Sequence, residues 1–157
     1  MQTQEGIAAI DAEDLPRVIE VWEASVRATH HFLTEADIQF FKPLVGEELP
    51  HLEVLAGVRD IEGHIVGFIG VEGVKVEALF VHPAWRGQGI GRRLLTYAIE
   101  TLGASEVDVN EQNEQAVGFY RRMGFEVAGR SAEDGMGLPF PLLHMRMRAR
   151  GIGQATP

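Results

Sequence analysis

Between the apolar run Val76-Glu77-Ala78-Leu79-Phe80-Val81-His82-Pro83 and the helical pattern Arg92-Arg93-Leu94-Leu95-Thr96-Tyr97-Ala98-Ile99, the chain places Arg86-Gly87-Gln88-Gly89-Ile90-Gly91. A strand that breaks into glycines and restarts as a helix leaves the backbone N–H groups of the first turn unpaired and aimed at one point. Such a point suits a phosphate or pyrophosphate, and Arg86, Arg92 and Arg93 add positive charge beside it. A glycine costs about 1 kcal/mol wherever a helix former would serve. Three alternating ones argue that a ligand approaches the backbone closely; the plain alternative is a surface turn that merely starts a helix.

Spacing narrows the choice of ligand. The dinucleotide fingerprint needs Gly-x-Gly-x-x-Gly, yet the third glycine would fall on Arg92 counting from Gly87 and on Leu94 counting from Gly89. A P-loop needs Gly-Lys-Ser/Thr, and Gly91 is followed by Arg92 and Arg93. What remains is Arg-x-x-Gly-x-Gly opening a helix, preceded by Leu-Phe-Val-His-Pro.

Composition closes off other classes. At 157 residues and 45% hydrophobic content the chain is long enough to bury a full core, and we expect one domain over residues 1–150. A formal charge of −9 disfavours nucleic acid and anionic membrane surfaces as partners. Local basic groups at Arg86, Arg92, Arg93, Arg121 and Arg122 within an acidic whole fit an anionic cofactor and a cationic amine substrate. Without cysteine there is no disulfide, thiolate metal site or cysteine nucleophile. Neither a signal-peptide pattern at Met1–Gly6 nor a membrane-length apolar run is present, so a soluble cytoplasmic protein is expected.

The pattern along the chain predicts alternating elements. A strand near Gly6–Ile10 leads to a helix with Leu15, Val18, Ile19, Trp22 and Val26 on one face, capped by Asp14. Thr34 and Asp37 form a capping box for a second helix ending near Pro43 to Gly46. Glu53–Arg59 and His64–Gly70 read as a hairpin around Asp60-Ile61-Glu62-Gly63, and Lys75–Val81 as the next strand. A helix to about Leu102, a strand Glu106–Val109, a helix Glu114–Met123 and strands near Glu126–Gly129 and Leu142–Arg148 complete the order βααβββαβαββ. Residues 151–157 read as a disordered tail.

Asn110-Glu111-Gln112-Asn113-Glu114-Gln115-Ala116-Val117-Gly118-Phe119-Tyr120, followed by Met123-Gly124-Phe125, is the second informative stretch. Locally it is a strand end, an Asn cap and a helix whose Ala116, Val117, Phe119, Tyr120 and Met123 include the core face. Together with the glycine loop, in this order and one helix and one strand apart, it resembles the GNAT family of N-acetyltransferases. Trp22–Leu33, Asn110–Tyr120, Gly129-Arg130-Ser131 and Pro141-Leu142-Leu143 look like one bacterial branch of that family, so the resemblance spans most of the chain.

The resemblance implies an α/β GNAT fold: a central mixed, mostly antiparallel sheet with helices on both faces, splayed between the strand before the glycine loop and the parallel strand that follows. It also implies acetyl-CoA as cosubstrate. Coenzyme A would be held by Leu79, Phe80, Val81, Arg86, Gly87, Gln88, Gly89, Ile90, Gly91, Arg92, Asn113 and Tyr120. Leu79 and Val81 would pair with the pantetheine amides like an added strand, and a bulge around Leu79 or Phe80 would turn a backbone N–H to the acetyl oxygen.

Acetyl transfer to an amine by direct attack needs a base and a proton for the leaving thiolate. Glu77, on the strand before the cradle, sits where the family often puts a catalytic carboxylate, with a solvated sheet-face residue as the bland reading and His82 and His144 as alternatives. Tyr120 can donate its phenolic proton, its reference pKa of about 10 lying near that of a thiol; a core tyrosine is the other reading.

In this fold the segment after the first helix borders the acceptor cleft, which makes Trp22, Thr29, His30 and Phe32 candidates for shaping substrate choice; core packing accounts for Trp22 and Phe32 equally well. Adjacent His30 and His31 point apart and lack a partner pattern, so no metal is expected. The expected function is therefore N-acetylation of a primary amine of a small molecule or peptide, with a non-catalytic acyl-CoA-binding module as the alternative and a homodimer as a state the family often adopts.

Overall fold

The structure, a computed structural model, describes residues 6–148; the tail expected over 151–157 lies outside them. The strands and helices run β1 (Ile7–Ala9), α1 (Leu15–Thr29), α2 (Glu35–Glu48), β2 (Val54–Arg59), β3 (Ile65–Glu72), β4 (Lys75–Val81), α3 (Ile90–Glu100), β5 (Glu106–Asn110), α4 (Glu114–Arg122), β6 (Phe125–Ser131) and β7 (Leu142–Met147). This is the βααβββαβαββ order expected from the pattern. Contacts divide the chain into two compact units, one to Ala104 and one from Ser105 onward.

In the first unit β1, β2, β3 and β4 form an antiparallel meander. β3 is buried from Ile65 to Val71, so it reads as a continuous apolar run rather than an alternation. Its two faces meet different helices. A side chain at Gly67 would run into Ile90 and Leu94 of α3, whereas Phe68 joins the core with Val18, Val21, Trp22 and Val26 of α1 and Ile38 of α2. Helices on both faces follow from that alternation.

Two helix ends depart from the expected chemistry. Asp14 makes no side-chain cap on α1; Asp11 and Asp14 instead cap each other across a 3-10 turn, and Asp14 binds Arg59 at 2.6 Å. α2 opens on the expected Thr34–Asp37 box but runs through Pro43 to Glu48. Ile38, Phe41 and Val45 pack into the α1 core and carry the helix past the proline, tertiary burial outweighing a local breaker.

The second unit holds an antiparallel β5-β7-β6 sheet and α4. β6 runs on to Ser131, beyond the expected end at Gly129, with a bulge between Val127 and Gly129.

Candidate active site

The glycine loop leaves β4 at Val81, where the His82 N–H donates to Val66 O at 2.8 Å. Pro83–Trp85 make one 3-10 turn, capped by His82 Nδ1, which accepts from the Ala84 N–H. That turn gives His82 a structural task. Gly87 and Gly89 follow at φ of 81° and 79°, left-handed backbone that a side chain would strain. Gly89 then caps α3 without a side-chain hydrogen bond, so the cap itself supplies no acceptor to the first-turn N–H groups.

A Cβ added at Gly87 or Gly89 would meet nothing within 4 Å. The loop backbone therefore faces open space, as a group approaching it closely requires. Gly91 carries no such backbone demand; it lies inside α3. Arg86, Gly87, Gln88, Gly89 and Arg92 are exposed around the cradle, and Ile90 is buried to anchor it.

On β4, Glu77 is exposed and Leu79, Phe80 and Val81 are half-buried. Leu79, Phe80 and Val81 pair one-to-one with Ile69, Phe68 and Gly67. The β3–β4 irregularity falls earlier: Gly70 pairs with Ala78 and Val71 with Val76, which leaves Glu77 as the extra residue. The bulge expected around Leu79 or Phe80 thus sits at Glu77 along this ladder. An added residue re-aims the side chain it carries.

The segment after α1 comes up against β4. The His30 ring lies 6.4 Å from Phe80 and 5.3 Å from Phe32, and Phe80 in turn lies 5.7 Å from Phe68. Thr29 Oγ1 donates to Ser25 O at 2.8 Å and lies 2.7 Å from His30 Nδ1. With its proton given to Ser25, Thr29 can only accept from Nδ1–H, which makes Nε2 the acceptor nitrogen of a neutral ring. Burial first, and the neighbouring His31 second, push the His30 pKa down to about 4, so the ring is uncharged at neutral pH. Trp22 belongs elsewhere: it is 5% exposed and packed in the α1 core. Phe68 is the member of this aromatic group that the sequence reading missed, because nothing local distinguishes it from any core phenylalanine.

In the second unit, Asn113 Oδ1 accepts from the Ala116 N–H at 3.2 Å and caps α4. Tyr120 is the buried residue of α4, its ring edge-on to Phe119 at 5.2 Å and Phe125 at 5.6 Å. The other four residues expected on the core face are only half-buried. No hydrogen bond to the Tyr120 hydroxyl is present among the described residues. No fully enclosed side-chain oxygen or nitrogen there lacks a partner, so this hydroxyl reaches accessible space. Burial pushes its pKa up, and the match to a thiol inferred from the reference value does not carry over. The group keeps its proton at neutral pH and is a donor with no acceptor among the described residues.

His144, the other alternative base, is engaged by Asp108 and Ser131. Among the described residues one group has metal-ligand spacing, Asp60, Glu62 and His64 in the β2–β3 turn. Asp60 Oδ1 there accepts the Glu62 and His64 N–H groups, as in an Asx turn.

Residues 52–127 match the family model described as an acetyltransferase (GNAT) domain. The chain is 43% identical over 133 residues to the peptidyl-lysine N-acetyltransferase YjaB of Salmonella typhimurium, covering 85% of this chain and 91% of that one. The corresponding YjaB of Escherichia coli is 40% identical over the same length, covering 85% and 90%. The chain belongs to the GNAT family of acetyltransferases.

The solution structure of apo YjaB from Escherichia coli superposes on this GNAT protein with a TM-score of 0.83 at 38% identity, covering 92% of this chain and 97% of that one. A PaiA N-acetyltransferase from Thermoplasma acidophilum, in complex with coenzyme A, shares the fold at a TM-score of 0.69 and 24% identity, covering 90% and 98%. The α/β GNAT fold is thereby shown, and the protein is an N-acetyltransferase. A binding module without turnover gives way to that identification. No helix among the described residues is long and apolar enough to cross a membrane.

Proposed function

We propose that this GNAT acetyltransferase moves the acetyl group of acetyl-CoA to the ε-amine of a lysine side chain in a peptide or protein. The observation that carries the donor is the open, left-handed backbone at Gly87 and Gly89 leading into α3, a cradle whose N–H groups and flanking Arg86 and Arg92 suit a pyrophosphate. The acceptor class is supported by relatives named for peptidyl-lysine acetylation at 40% and 43% identity.

In this reading Arg86 to Arg92 hold the pyrophosphate, and backbone groups of Leu79 and Val81 hold the pantetheine. Acetyl-CoA supplies an acyl carbon activated as a thioester. Glu77 removes a proton from the lysine ammonium, directly or through water, so that a neutral amine forms the N–C bond as the C–S bond breaks. Tyr120, which keeps its proton and has no acceptor among the described residues, donates a hydrogen bond to the departing thiolate, and the sulfur takes the second proton released by the newly acylated nitrogen; Asn113 joins the coenzyme A contacts by the likeness of its segment. The acceptor amine is oriented beside His30, Phe32 and Phe80, whose uncharged aromatic surface tolerates a lysine methylene stem.

The test is release of free coenzyme A from acetyl-CoA with lysine peptides, polyamines and small aromatic amines side by side. Peptide turnover should exceed that on the small amines, and Glu77→Gln should lower it by about 100-fold at neutral pH. Faster turnover on a free small amine would overturn the peptide assignment; full activity in Glu77→Gln would remove Glu77 as the base.

A further inference from the structure

The second unit contains a hydrogen-bonded chain that the acetyl transfer described above does not use. His144 Nδ1 lies 2.7 Å from Asp108 Oδ1, and His144 Nε2 lies 2.6 Å from Ser131 Oγ. Asp108 is on β5, His144 on β7 and Ser131 on β6, so three adjacent strands contribute one residue each.

Strand register explains how they meet. Asp108 is the direct partner of His144 across β5 and β7, and Gly129 is its partner across β6 and β7. Had β6 continued from the Val127–Met145 pair without its bulge, Arg130 would share the His144 face. The extra residue between Val127 and Gly129 shifts the alternation by one and brings Ser131 there instead. Arg130 goes to the other side, where it binds Glu111 at 2.8 Å. A Cβ at Gly129 would stand in ordinary contact with the ring, 3.6 Å from His144 Cδ2, so the imidazole lies over this position on its way to the serine.

The order of atoms decides the chemistry. A carboxylate can only accept, so Asp108 holds the proton on Nδ1 and leaves Nε2 as the acceptor for the Ser131 hydroxyl. That is the tautomer in which an imidazole acts as general base toward a serine. The side chains of His144 and Asp108 are 40% and 26% exposed and Ser131 is half-buried, so the group lies at the surface and not in the core.

We propose that Ser131 is a nucleophile that takes an acyl group from an activated short-chain ester, with His144 as general base and Asp108 as the positioning residue. Ser131 Oγ forms a bond to the carbonyl carbon and the bond from that carbon to the leaving oxygen breaks. The Ser131 proton passes to His144 Nε2 and on to the leaving group. Water then attacks the acyl-serine, gives a proton to Nε2, and releases the carboxylic acid while Ser131 recovers its hydrogen. No oxidant, metal or coenzyme is needed.

The experiment is incubation of the full chain with p-nitrophenyl acetate, following p-nitrophenolate release and locating the acetyl group by peptide mass spectrometry. Because neither acetyl-CoA nor an amine is present, the outcome is independent of the lysine reading. The expected result is acetylation at Ser131, absent in Ser131→Ala and slowed about 100-fold in His144→Asn, with circular dichroism showing each variant folded. Asp108→Asn should slow acylation and shift the imidazole 15N resonances away from the Nδ1–H form, which a purely structural role would not require. If Asp108→Asn fails to fold, the Ser131 and His144 variants still decide. No acetyl group on Ser131 together with p-nitrophenolate release that Ser131→Ala leaves unchanged overturns the proposal, as does Ser131-dependent release that His144→Asn leaves unchanged.

Discussion

Replacing His30 by glutamine tests the environment of the proposed acceptor pocket through stability. His30 closes α1, its N–H bonded to Val26 O at 2.8 Å, with the ring against Phe32 and Phe80. Burial lowers its pKa from 6.5 to about 4. The unfolded chain therefore takes up a proton on this residue as pH falls through about 6.5, while the folded chain does not until pH nears 4. Stability is lost over that window, and the loss is complete only below the folded value. With about 1.4 kcal/mol per pH unit of separation, the penalty grows to about 2 kcal/mol at pH 5 and approaches about 3 kcal/mol near pH 4. Urea unfolding of the unaltered chain and of His30→Gln at pH 7.5, 6, 5 and 4.5, at constant ionic strength, isolates the contribution, since other titrating groups are common to both. Glutamine loses ring contacts, so the variant should be less stable at pH 7.5, and the difference should narrow by about 2 kcal/mol by pH 5. Parallel curves over this range would refute the burial argument, and so would an imidazole NMR titration centred near 6.5.

Gly67→Ala would place a methyl group 2.8 Å from Ile90 Cγ2, at the first residue of α3. Overpacking of this kind costs about 1–3 kcal/mol, and the same displacement of α3 should weaken coenzyme A binding, measured by calorimetry; unchanged stability and affinity would show that the loop is not held from below. Tyr120→Phe removes a hydroxyl that has no hydrogen bond among the described residues, so the unfolding midpoint should move little while turnover falls at nearly constant coenzyme A affinity. A large loss of stability with normal turnover would make Tyr120 a packing residue.

Local signals were legible where neighbours in sequence settle them. Thr34 and Asp37 satisfy each other's N–H groups within one turn, and Gly87 and Gly89 hold a conformation that a side chain would strain, so the capping box and the loop could be read directly. Asp14 looked equally like a cap, but Arg59, 45 residues away, captures its carboxylate. Pro43 looked like a stop, but the burial of Phe41 and Val45 against α1 is a tertiary term no window of sequence contains. The β4 bulge sits two or three residues before the expected place at Leu79 or Phe80. Its position is set by the register of β3, not by any residue type within β4.

The sequence by itself determined the α/β order, the glycine loop and the motif pair that identifies the family, because each depends on residues a few positions apart. Only the tertiary structure decided that His30 faces Phe80, that Trp22 is core, and that Asp108, Ser131 and His144 form one chain of hydrogen bonds. Asp108 and His144 lie 36 residues apart and His144 and Ser131 lie 13 apart. Their meeting depends on strand order and on a one-residue bulge, and in a sheet of period two a single inserted residue exchanges which side chains share a face.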